Sequence, residues 1–139
     1  MKLPRDWRYG VEIRNKLFLQ PEYFATLARH GVAHAYNSWQ DMPPVGEQLA
    51  LAGSLASPEF CVARFLLKPG RKYEEAVKMF SPYDQIKEPD EAGRSAGTEL
   101  IRRVVSQNFS RHGYIYVNNR FEGNAIQTII AMLHGAGVI

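Results

Sequence analysis

The sequence predicts an α/β fold of four parallel strands with flanking helices, built as half of a TIM (β/α)8 barrel. Three observations carry the prediction. Four β-branched or aromatic runs are each followed by helical spacing, the connections are long enough for crossovers, and Glu12, Arg14 and Arg64 put charge inside strands. Such alternation builds a parallel sheet from right-handed βαβ units. The charges then choose its form. A doubly wound, flavodoxin-like sheet is covered on both faces and wants apolar residues at both parities, whereas a barrel lumen near its mouth accommodates charge. A closed barrel needs about 250 residues, so 139 residues make one domain of four β/α units.

The first strand, 9–14, alternates Tyr9, Val11 and Ile13 against Gly10, Glu12 and Arg14. Pro21 then opens a helix carrying Tyr23, Phe24, Leu27 and Ala28, which His30-Gly31 ends. A second strand, 32–37, runs into Asn37-Ser38-Trp39, and Met42-Pro43-Pro44 precedes a short helix over 45–52. The third strand, 60–67, is apolar except for Arg64 and turns at Lys68-Pro69-Gly70-Arg71. Helices follow over 73–80 and 90–108, the second with Leu100, Ile101, Val104 and Val105 as its core face. The fourth strand, 113–118, ends in Asn118, Asn119 and Arg120. A last helix over 124–134 turns Ile126, Ile129, Ile130 and Leu133 to one side.

Composition narrows the function. With 45% apolar residues the chain can bury an ordinary core, and its formal charge of +3 is scattered, which argues against a nucleic-acid partner. No apolar run of about 18 residues can span a bilayer. The amino terminus lacks the apolar segment of a secretory signal, so a cytoplasmic location without membrane attachment is expected. Cys61, the only cysteine, lies in an apolar run and is expected to be a buried, inert thiol. His30, His34, His112 and His134 are far apart, with only His34 inside a predicted strand, so no metal site is expected. Ser38 and Ser95 have no triad context, and no glycine-rich phosphate or dinucleotide loop occurs, so no cofactor is expected.

What remains is a polar mouth at the strand carboxyl ends, where parallel α/β proteins bind ligands. Arg14, Asn15, Asn37, Arg64, Asn118, Asn119 and Arg120 supply donors, and Glu12 is the lone carboxylate. Arginine forks and amides suit phosphate or carboxylate, so a small anionic ligand is the candidate, with Arg14 and Arg64 as charged donors and Asn119 as orienting amide. The competing reading is that Glu12 pairs with Arg14 or Arg64 across neighbouring strands only to neutralise buried charge. Tyr36, Trp39 and Tyr116 line the same pocket or belong to the core.

The chain also resembles the domain-of-unknown-function 72 (DUF72) family of TIM-barrel proteins. The resemblance rests on Val11-Glu12-Ile13-Arg14-Asn15, on Trp39 with Met42-Pro43-Pro44, on Ala63-Arg64-Phe65-Leu66 and on Tyr73 to Asp84 with its ending Ser81-Pro82-Tyr83-Asp84. Its most specific part is Tyr116-Val117-Asn118-Asn119-Arg120 with Glu122-Gly123-Asn124-Ala125. Ile126 departs from it, since a proline is expected there. The resemblance implies the carboxyl-terminal half of the barrel, with the family's first four strands and the surface they build outside this chain. A half barrel leaves two sheet edges and an inner face in water, so a homodimer through edges or inner face is expected. Three function classes stay open: an enzyme or binding barrel for an anionic substrate, a self-associating assembly module, and a truncated relic without chemistry.

Overall fold

The computed structural model describes residues 4, 6–55, 59–106 and 112–139. Its elements run β1 (Gly10–Val11), a 3-10 turn (Lys16–Phe18), α1 (Pro21–Arg29), β2 (Ala33–Ser38), α2 (Val45–Ala50), β3 (Phe60–Phe65), α3 (Tyr73–Phe80), α4 (Glu91–Val105), β4 (His112–Val117) and α5 (Ala125–Ala136). The strands form one sheet in the order β1-β2-β3-β4, every neighbouring pair parallel. This is the sequential half-barrel arrangement that the strand-helix alternation predicts.

Boundaries differ where side chains replace main-chain partners. β1 pairs only through Gly10 and Val11, far short of the expected 9–14. Beyond it, Asn37 Nδ2 donates to the Ile13 carbonyl at 2.9 Å, so an amide side chain occupies the place of a ladder bond. β3 ends at Phe65, two residues early, and His112, expected before the fourth strand, opens β4. α2 stops at Ala50 and α5 continues to Ala136, where Gly137 at φ 72° caps it. α4 starts after Asp90, whose carboxylate accepts from the Gly93 amide at 2.9 Å. The end of the predicted 90–108 helix falls partly outside the described residues.

Period-two alternation assigns the two faces. Tyr36, Cys61, Ala63 and Phe65 point outward into a core with Val45, Leu49, Ala96, Leu100, Phe121 and Met132. Cys61 is buried there, as expected. Ala35, Asn37, Val62, Arg64, Tyr114 and Tyr116 alternate with them and line the concave face, in rows Ala35-Val62-Tyr114 and Asn37-Arg64-Tyr116. Across this face Arg8 Nη1, just before β1, reaches the Tyr114 hydroxyl on β4 at 3.0 Å.

Two helix faces are rotated from their predicted orientation. On α5 the buried residues are Thr128 and Met132, while Ile126 is 70% exposed. Thr128 donates to the buried Glu122 carboxylate at 2.6 Å and turns Met132 against α4, where Gly97 leaves room for its sulfur. On α4 the buried set is correspondingly Ala96, Gly97, Thr98 and Leu100; Ile101 and Val104 are partly buried and Val105 is exposed.

Behind the sheet, His34 is buried between the Tyr23 hydroxyl, 3.0 Å from Nδ1, and Gln48 Oε1, 3.2 Å from Nε2. Burial pushes the Tyr23 hydroxyl up to about 12. Burial also lowers the His34 pKa, and the Gln48 bond opposes that shift. The unfolded chain therefore takes up a proton near pH 6.5 that the folded chain resists. Stability should be full above that pH and fall as pH drops through it toward the lowered folded value. Urea melts at pH 7.5 and 5.5 should show the loss, and His34→Gln should flatten the difference.

Candidate functional site

Because Glu12 and Arg64 share the concave parity, they meet although they stand on opposite sides of β2. Arg64 Nη1 reaches Glu12 Oε2 at 2.6 Å, and Arg14 Nε reaches Glu12 Oε1 at 2.9 Å. The pairing expected with one arginine on a neighbouring strand is thus made with both, one oxygen each, and Arg64 spans an intervening strand to make it. The Glu12 side chain is 15% exposed and the arginine side chains are nearly half exposed, so the triad opens to water and leaves one positive charge over. Glu12, Arg64 and Tyr116 line a concave cavity of about 820 Å3 with Trp7, Arg8 and Tyr114.

Arg14 lies over the Trp39 ring at 4.2 Å. Trp39 is partly buried against Leu67, Ala76 and Phe80, so it fixes the arginine from below while belonging to the core layer. Tyr36 is core, and Tyr116 is exposed on the concave wall. Asn15 caps the 3-10 turn, its side-chain oxygen accepting from the Leu17 amide at 3.0 Å. Asn37 is fully buried beside Arg64, and its Oδ1 has no hydrogen-bond partner in the structure. Gln48, which the periodicity places only on a short helix, holds this strand end in position. Its Nε2 donates to the Asn37 and Pro43 carbonyls at 2.7 and 2.6 Å.

Asn118, Asn119 and Arg120 do not join the triad. Asn118 Oδ1 accepts from Arg120 N at 2.9 Å and Nη1 at 3.2 Å, and the guanidinium lies 4.5 Å over the Tyr73 ring. Asn119 Oδ1 accepts from the Ala125 amide at 2.8 Å, at the start of α5. The sequence places these residues correctly at the end of β4; their partners are supplied by the same loop and by α3.

Two further ionic groups escaped sequence reasoning. Arg71 Nη2 donates to both Glu88 oxygens at 2.8 Å and Lys68 to one at 3.1 Å. The Arg71 hydrogen bonds, then that of Lys68, hold the Glu88 carboxyl below its usual range. Glu122 is fully buried and accepts from Arg94 Nε and Nη2, from the Asp90 amide and from Thr128. The local signal for that carboxylate was its place between Phe121 and Gly123, but its cation lies 28 residues away on α4. Among the described residues no three His, Cys, Asp or Glu side chains group as metal ligands would, and no helix there is long and apolar enough to cross a membrane.

No curated protein matches the chain. Two crystal structures of the DUF72 family protein EF0366 from Enterococcus faecalis V583 share its fold, with TM-scores of 0.63 and 0.62 at 15% and 14% identity. Each comparison covers 96% of this chain and only 50% or 49% of the other, so the chain spans about half the length of these structures. The family profile described as protein of unknown function DUF72 matches residues 1–138, and the chain belongs to that family.

Proposed function

We propose that the concave face binds a small anion, phosphate, sulfate or a carboxylate, with Arg64 and Arg14 as its charged donors. The observation that carries this reading is the shared carboxylate. Glu12 divides its two oxygens between Arg64, which lines the open cavity, and Arg14, which lies nearly half exposed over the Trp39 ring, so the triad has donors and one positive charge to spare. A guanidinium bound through one nitrogen keeps further N–H groups for the oxygens of an anion. Asn37, buried beside Arg64, spends its Nδ2 on the Ile13 carbonyl and so holds the strand end rather than offering a donor to the anion. Asn118, Asn119 and Arg120, at the end of β4, are held by one another, by the Tyr73 ring and by the Ala125 amide, outside the cavity. The two EF0366 structures are about twice as long as this chain, and on this reading the chain supplies half of the mouth.

Calorimetry with phosphate at low salt tests the reading. Arg64→Met keeps the packing of the side-chain stem and removes a charge-assisted donor, a loss of about 1.5–3 kcal/mol or roughly 10- to 100-fold in affinity. Its circular dichroism should match the wild type. A wild type that takes up no phosphate, or a Met variant that binds it equally well, would leave the arginines a purely structural role.

A further inference from the structure

We infer that the concave face and both sheet edges are covered by a second copy of this chain, two four-stranded arcs closing one eight-stranded parallel barrel. The edges are the first reason. Among the described residues β1 and β4 each have a strand on one side only, and both run in the same direction. A copy turned by a twofold axis along the barrel therefore offers its β1 to β4 and its β4 to β1, in parallel sense both times. One operation satisfies both edges.

α5 is the second reason. In a right-handed β/α unit the helix covers the groove between its own strand and the next. α5 packs on α4 and β4, and its opposite side carries Ile126 and Ile130, 70% and 42% exposed, with no strand beneath. Closure brings β1 of the second copy into that place. Its outward residue is Val11, which shares the parity of His34 and is 37% exposed. The bare stripe of one end is thus complementary to the bare strand of the other.

A peptide added to one edge would leave the other edge open, and a small molecule in the cavity would leave both. With roughly 100 Å2 from each exposed aromatic, Trp7 and Tyr116 of two copies contribute about 400 Å2, and the isoleucines and four strand edges are expected to bring the contact to the roughly 1,000 Å2 of a specific interface. The lumen then holds two Glu12–Arg14–Arg64 sets, so the concave site is complete only in the dimer.

Light scattering on the wild-type chain at micromolar concentration should give twice the chain mass. I126K/I130K, at exposed positions, should give a monomer with unchanged circular dichroism. V11C/I130C should form covalent dimers with a bismaleimide, because Cys61 is buried, and this link decides the matter if the lysine variant loses its fold. A monomeric wild type, open-ended larger species, a dimer that the lysines leave intact, or no cross-link would each overturn the inference. Phosphate binding is read separately, so failure of the anion site leaves the mass result standing.

Discussion

Glu122→Ala is expected to cost about 3–5 kcal/mol, enough to unfold much of the population at 37 °C. The carboxylate is fully buried and accepts from Asp90 N at 2.5 Å, Arg94 Nε at 2.9 Å and Thr128 Oγ1 at 2.6 Å. Its main-chain carbonyl also accepts from Lys87 and Glu88. Removing the side chain leaves the Arg94 charge and the Asp90 amide, just before α4, without their acceptor, and each is a named source of large destabilisation; the Thr128 hydroxyl keeps the Asn124 carbonyl at 3.0 Å. Glu122→Gln keeps an acceptor for the amide and should lose about half as much. Thermal melts check both, at roughly 3 °C per kcal/mol for a chain of this size. A melting point within 3 °C of wild type for the alanine variant would show that the network is dispensable.

Gly123→Ala, one residue on, is expected to cost about 2–4 kcal/mol for a different reason. Gly123 stands at φ 116°, which L side chains rarely adopt, and an added methyl would strike the Gln85 carbonyl and the Lys87 amide nitrogen. Both obstacles are main chain and cannot swing aside. The same loop holds the Asn119 carbonyl, which accepts from Gly123 N at 2.8 Å. Denaturant midpoints give the cost, and an unchanged midpoint would mean that the 85–87 segment moves freely.

The parallel order, the helices and the concave position of Arg64 were legible because they follow from alternation and periodicity. The helical faces were not. The isoleucines of α5 promised a core stripe, and the structure buries Thr128 and Met132 instead, because a threonine had to meet a carboxylate six residues before it. Hydrophobicity alone carries no term for that bond. Likewise the meeting of Glu12 with Arg64 depends on how tightly the sheet curls over β2, a property of three strands together. Asn118 to Arg120 show the converse limit, since a polar cluster at a strand end was read correctly while its partners, Tyr73 and Ala125, depend on how two loops fold back.

The two free edges of the arc are unequal hazards. Beyond its two paired residues the β1 side carries Arg8, Glu12 and Arg14, and charge there repels a stray strand. The β4 edge presents Tyr114, Ile115, Tyr116 and Val117 in a six-residue strand with no proline and no lysine, which is the composition of an aggregation-prone segment. A chain whose β4 edge stays unpaired is therefore expected to stack through that strand, and solubility becomes a sensitive report of whether the strand is paired.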